Sequence, residues 1–144
     1  MKFHQHAVIS LALSGLLYAA FKSWTLAAAN LIAGVCIDLD YAVDYVMQHG
    51  FPFRLKEFIH AYHEDTLLKV RLFHGWEWLP VLGLMVWLTD GNLWITGTLL
   101  GVGQHLVLDK INFGEHFLCY SLLWRWEKGF KSEAIFKRTR RGIK

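Results

Sequence analysis

Four uncharged apolar runs, residues 7–21, 23–37, 78–89 and 91–108, are separated by charged or polar breaks and leave this chain few ways to fold. A helix that is apolar on all sides must be buried, either in a large protein core or in lipid. A chain of 144 residues amounts to one domain and has too little polar surface to wrap four such segments. Composition agrees, with 54% hydrophobic residues, 19% charged residues and a mean hydropathy of +0.28. A typical soluble domain carries about 45–50% apolar and about 25% charged residues. Each run falls short of the ~20 residues that cross a hydrocarbon core. Phe3, residues 41–47 and Trp76 extend the first three. Gly15, Ala27–Ala29, Gly34, Gly97, Gly101 and Gly103 offer the small surfaces that let membrane helices approach closely. The expected fold is all-α, an integral-membrane four-helix bundle. Lys2, the first run and Ala27-Ala28-Ala29 also resemble a cleavable signal peptide. Lys22 interrupts that pattern and more apolar segments follow, so the first helix is expected to stay.

The basic residues orient the bundle. The connection after the first run holds only Lys22, and Asp90 between the third and fourth has no basic neighbour. The long connection carries Arg54, Lys56, Lys69 and Arg71, and Lys110 through Lys144 follow the last run. By the positive-inside rule both termini and the long connection are cytoplasmic, in a multi-pass protein of the cell (inner) membrane. Within residues 54–73, Leu55, Phe58, Ile59 and Tyr62 form an apolar stripe, which predicts an additional helix lying on the membrane surface. Residues 1–124 are then the membrane-embedded domain and 125–144 a basic cytoplasmic tail. That tail, with Trp124, Trp126, Phe130 and Phe136, suits anionic phospholipid and sets topology. Nucleic acid is not an expected partner.

Ionisable groups at membrane depth need a partner or a function. His4 and His6 precede the first run; Asp38, Asp40 and Asp44 end the second. His74 and Glu77 open the third, and His105 and Asp109 close the fourth. In the expected topology all four clusters lie at the cytoplasmic ends of their spans. Asp40/Asp44 and His105/Asp109 are i,i+4 pairs and His74/Glu77 an i,i+3 pair, so each can offer two groups from one helix face. Imidazoles with carboxylates suit zinc, with manganese or iron as alternatives, and the set is large enough for one or two ions. Cys36 and Cys119 form no C-x-x-C pair and cannot between them build a thiolate site. His49, beside Gly50 and Pro52, reads as an interfacial residue, while His60, His63 and His116 carry weaker claims on the site.

These residues fall in four ordered elements: His6-Ala-Val-Ile-Ser-Leu-Ala-Leu, Gly34-Val-Cys-Ile-Asp38-Leu-Asp40, Phe73-His74, and Gly101-Val-Gly-Gln-His105-Leu-Val-Leu-Asp109 with Gly114 after it. The order resembles that of small integral-membrane proteins known as membrane-bound metal-dependent hydrolases, the YdjM type, distantly similar to zinc phospholipases C. The resemblance covers about the first four-fifths of the chain. Ile37 stands where the family has proline, and Phe73-His74-Gly75 where it has T-H-S. The family's arginine just upstream of that element has no aligned counterpart, although Lys69 and Arg71 are near.

The expected activity is metal-assisted hydrolysis of a phosphoester or phospholipid headgroup at the cytoplasmic face. His6, Asp38, His74, His105 and Asp109 would be ligands, Asp40 a bridging ligand or orienter, and Glu77 a further ligand or general base. Lys69, Arg71 and Lys110 are placed to receive a phosphate. The alternative is a metal-binding membrane protein or transporter without hydrolysis.

Overall fold

The computed structural model describes residues 3–63, 70–113 and 116–135, and among these every regular element is helical. The first helix, α1 (Phe3–Phe21), ends where Lys22 turns to a positive φ of 51°. Ser23 then caps α2 (Trp24–Cys36), its hydroxyl accepting the Leu26 N–H at 3.2 Å. A 3₁₀ turn at Ile37–Leu39 leads into α3 (Asp40–His49), which stops at Gly50, φ 75°. After α4 (Leu55–His63) and an irregular stretch at 70–77 come α5 (Trp78–Leu88) and α6 (Leu93–Phe113). A second 3₁₀ turn, Phe117–Tyr120, leads to the short helices α7 (Leu122–Glu127) and α8 (Ser132–Ile135).

The centre of the bundle is the seam between α2 and α6, with α1 against α2 and α5 against α6. Gly97 and Gly101 make that seam possible. A Cβ at Gly101 would lie 2.5 Å from the Asn30 carbonyl oxygen and 2.9 Å from the Gly34 nitrogen. Both are backbone atoms that cannot swing aside. Gly101→Ala should therefore destabilise the fold, because an overpacking cost of ~1–3 kcal/mol outweighs the ~1 kcal/mol that alanine gains in helix propensity. A lowered thermal unfolding temperature would show it; an unchanged or raised one would mean that the helices separate freely.

Burial runs against the usual sorting. Along α1, His6, Ser10 and Ser14 point inward and are buried, while Val8, Leu11 and Leu16 are more than 60% exposed. Ser14 donates to Asn30 Oδ1 at 2.9 Å and Gln104 donates to Ser10 Oγ at 2.8 Å, so polar pairs tie the helices together inside. On α5 no residue is buried, and Val81, Leu84, Met85, Trp87 and Leu88 lie exposed. Trp24–His49, 26 residues with mean hydropathy 1.6, is the described helix long and apolar enough to cross a membrane. Gln5–Phe21 and Trp78–Leu88 are apolar but shorter.

Two expectations change. Of the surface helix expected across 54–73, the described residues show α4 at Leu55–His63 and non-helical backbone at 70–73; Leu55 and Ile59 are exposed on α4, while Phe58 packs with Tyr45 and Phe53. Residues 70–77 are non-helical, so α5 starts at Trp78, after His74 and Glu77 rather than with them. Beyond residue 124, Arg125 and Ile135 are buried, and Ile135 joins Leu106, Cys119 and Tyr120 in one core cluster. Lys137, Arg138, Arg140, Arg141 and Lys144 lie outside the described residues.

Candidate metal centre

Four pieces of chain meet at one buried point. His105 sits one turn beyond Gly101 on the close-packed face of α6, and Asp109 one turn further. His6 comes from the first turns of α1, Asp38 from the 3₁₀ turn after α2, and His74 from the irregular stretch before α5. His6, His74, His105 and Asp109 are at most 2% exposed.

The tautomers of two imidazoles follow from their outer contacts. His105 Nδ1 lies 2.9 Å from the Gly34 carbonyl oxygen, which only accepts, so Nδ1 carries the proton. His74 Nδ1 lies 3.0 Å from Asp40 Oδ2 and does the same. Each Nε2 is left with its lone pair facing inward, buried and with no hydrogen-bond partner. From His105 Nε2, Asp38 Oδ1 is 3.4 Å away and Asp109 Oδ2 3.7 Å. From His74 Nε2 the same two oxygens are at 3.6 and 4.0 Å. These separations are long for hydrogen bonds. They are close to the ~3.3–3.4 Å that separates ligands held ~2.0–2.1 Å from a tetrahedral ion. Outer-shell acceptors that fix the tautomer of metal-binding histidines are the usual companions of such ligands.

His6 reaches the centre through Asp109. Its Nε2 donates to Oδ1 at 2.9 Å, leaving Oδ2 toward His74 and His105, and its ring stacks on His105 with centroids 3.9 Å apart. Two groups of side chains in the described residues can hold a metal ion: Asp38, His74 and His105; and His6, His105 and Asp109. They share His105, whose Nδ1 is already committed to Gly34, so a single Nε2 serves both.

Asp40 stands behind His74. One oxygen, Oδ2, accepts from the His74 ring and from the backbone N–H groups of Phe73 and His74, at 3.0, 2.6 and 3.1 Å. One turn on, Asp44 accepts the Arg71 N–H at 3.1 Å. The i,i+4 carboxylates thus hold the irregular stretch in place. Asp40 Oδ1 is buried without a partner. Asp40→Asn should weaken metal binding by roughly 10–100-fold, as lost outer-shell partners do. Competition titration against a chelator reads this directly, and an unchanged affinity would dismiss the outer-shell role.

The helix expected to pair Glu77 with His74 is absent, and the two side chains part. Glu77 Oε1 accepts from Ser121 Oγ at 2.6 Å and from the Leu123 N–H at 3.4 Å, at the start of α7. Arg71 is buried with its guanidinium over the Tyr41 ring at 4.6 Å, and Lys110, next to Asp109, is half-buried. Lys69 lies outside the described residues, as do the side chains of His4 and His63. His60 is exposed on α4, and His116 caps the second 3₁₀ turn by accepting the Leu118 N–H at 3.3 Å.

The basic pattern of the C-terminal region concealed Arg125. Its guanidinium, 1% exposed, donates to the carbonyls of Cys119 (2.9 Å), Val70 (2.8 Å), Arg71 (2.7 Å) and His74. Burial and the charge of Arg71 lower its pKa to about 10, which leaves it charged at neutral pH. The only local hint was its position between Trp124 and Trp126. The Gly34 carbonyl gave none, because a backbone acceptor has no signature in side-chain spacing. No protein-family model, curated protein or solved structure matches this chain.

Proposed function

We propose that this chain is a membrane-bound hydrolase built around one divalent metal ion, zinc by preference. The observation that carries the reading is the pair of buried, partnerless Nε2 atoms of His74 and His105 facing Asp38 and Asp109. Neutral imidazoles and carboxylates in a near-tetrahedral spacing are a zinc ligand set, and a cation relieves the cost of burying carboxylates together. Asp38, His74, His105 and Asp109 would hold the ion, with His6 orienting Asp109. A bound divalent ion would lower the pKa of water toward ~7 and polarise a phosphoryl oxygen. Asp40 would hold the His74 ring from behind, its Oδ2 accepting the Nδ1 proton so that Nε2 stays turned to the ion. Arg71 and Lys110 would favour an anionic substrate.

The membrane reading rests on the inverted burial of α1 and on α5, which buries no residue and leaves Val81, Leu84, Met85, Trp87 and Leu88 exposed. In lipid such a surface costs nothing, and inward polar pairs bind helices together. At ~1.5 Å per residue α1 and α6 are ~28 and ~31 Å long, about a hydrocarbon thickness. The 11 residues of α5 cover only ~16 Å, and the stretch 70–77 would supply the rest. Non-helical backbone at that depth is tolerated where protein satisfies it, as Asp40, Asp44 and Arg125 do here. The charge pattern then puts the centre toward the cytoplasm.

The hydrolase reading is tested by incubating zinc-loaded protein with phospholipid vesicles and identifying products by mass spectrometry. Headgroup release by wild type, at least a hundredfold above His105→Ala, is expected. Binding of zinc without any release would leave a metal-handling protein. A transport path is less well supported, since the inward polar pairs stop at Asn30, beyond which Leu26 and Ala27 fill the seam.

A further inference from the structure

A groove of about 450 Å³ opens among the helices beside the α2–α6 seam. Leu13 and Leu17 of α1, Leu79 of α5, and Leu99, Leu100 and Gly103 of α6 form its walls. Asn30 and Gln104 also line it; Asn30 Oδ1 accepts from Ser14, and Gln104 Nε2 donates to Ser10 while its Oε1 is buried with no partner. The volume is within the ~300–1,000 Å³ of small-molecule sites. The lining offers an occupant little beyond contact with hydrocarbon.

Its position relative to the metal centre is the informative feature. On α6 the groove occupies residues 99–104, and His105 and Asp109 follow on the next turn and a half. On α1 it occupies Leu13 and Leu17, and His6 lies about two turns nearer the opposite helix end. Asn30 on α2 precedes Gly34 and Asp38 in the same direction. All three helices put the groove on the same side of the centre. In the proposed topology that is the bilayer-interior side, so a molecule with its head at the ion would lead its chain into this groove.

We infer that the groove is an acyl-chain site, and that the substrate is an amphiphilic phosphoester whose single chain lies in it while the head reaches the metal centre. This rests on the hydrolase reading for the role of the head, but groove occupancy can be measured without it. A Cβ on Gly103 would meet Leu79 Cδ2 at an ordinary 3.7 Å and no backbone, so a larger side chain there fills the groove without forcing the helices apart.

The probe is a 1-palmitoyl lysophosphatidate carrying a diazirine in its chain, used on the full chain in nanodiscs, with cross-links mapped by mass spectrometry. Saturable labelling of Leu13, Leu17 and Leu99 is expected, displaced by excess unlabelled lysophosphatidate. It should fall at least tenfold in Gly103→Leu and in Leu13→Trp on the facing wall, with bound metal in both equal to wild type. Labelling that instead spreads over the outward residues Val8, Leu11, Leu84 and Leu88, or that both variants leave unchanged, overturns the site. Equal displacement by palmitate would reduce the occupant to any fatty chain and overturn the substrate assignment. Wild type without metal but with saturable groove labelling would refute the hydrolase reading and keep the chain site.

Discussion

Replacing His105 with alanine should lower zinc affinity by more than the roughly 10–100-fold that loss of an outer-shell partner costs, and His74→Ala should do the same. Each removes an inward lone pair and leaves Asp38 and Asp109 facing one another across a gap. His105→Ala also frees the Gly34 carbonyl, which accepts the Nδ1 proton at 2.9 Å. His49→Ala is the control. Its ring stacks on Tyr45 at 4.6 Å with Nδ1 3.3 Å from the Tyr45 carbonyl, at the end of α3 and in neither ligand group. Zinc affinity should be unchanged there. Equal affinity in all three variants would remove the centre.

The second large effect is expected far along the chain from any ligand. Arg125→Ala strips the carbonyls of Cys119, Val70, Arg71 and His74 of a buried donor at once. Orphaned buried polar groups cost ~1–3 kcal/mol each before relaxation, and breaking a buried charged arrangement typically ~3–5 kcal/mol. The expected loss is therefore ~3–5 kcal/mol, seen as a large drop in the denaturation midpoint. Zinc affinity should fall with it, since Val70, Arg71 and His74 belong to the stretch that carries a ligand. Arg125→Lys should recover little, because an ammonium cannot reproduce the planar fork that reaches several carbonyls. Wild-type stability in Arg125→Ala would show that the stretch 70–77 is held by Asp40 and Asp44 alone.

The long helices were legible because apolar periodicity and its interruptions are local. Lys22 and Asp90 mark the turns before α2 and α6, where both take positive φ. The His105/Asp109 and Asp40/Asp44 pairs were legible too, since i,i+4 spacing on a real helix does bring side chains to one face. His74 and Glu77 show where this reasoning ends. Their i,i+3 spacing implies proximity only on a helix, and residues 70–77 are kept from helix by acceptors more than 25 positions away in sequence. The same distance hid Arg125. A basic residue near a chain end reads as a solvated charge until the carbonyls around it are known. The part of Asp40, bridging ligand or orienter, was open in the sequence; the three donors on its Oδ2 show that it holds His74 from behind.

The most direct test is elemental analysis of the untagged protein, purified in detergent after growth in metal-replete medium. One equivalent of a divalent metal per chain, bound through nitrogen and oxygen with no sulfur in its X-ray absorption spectrum, is the predicted result. Substoichiometric metal that cannot be restored by resupply would contradict it, and His74, His105, Asp38 and Asp109 would then be a polar network that holds the helices together.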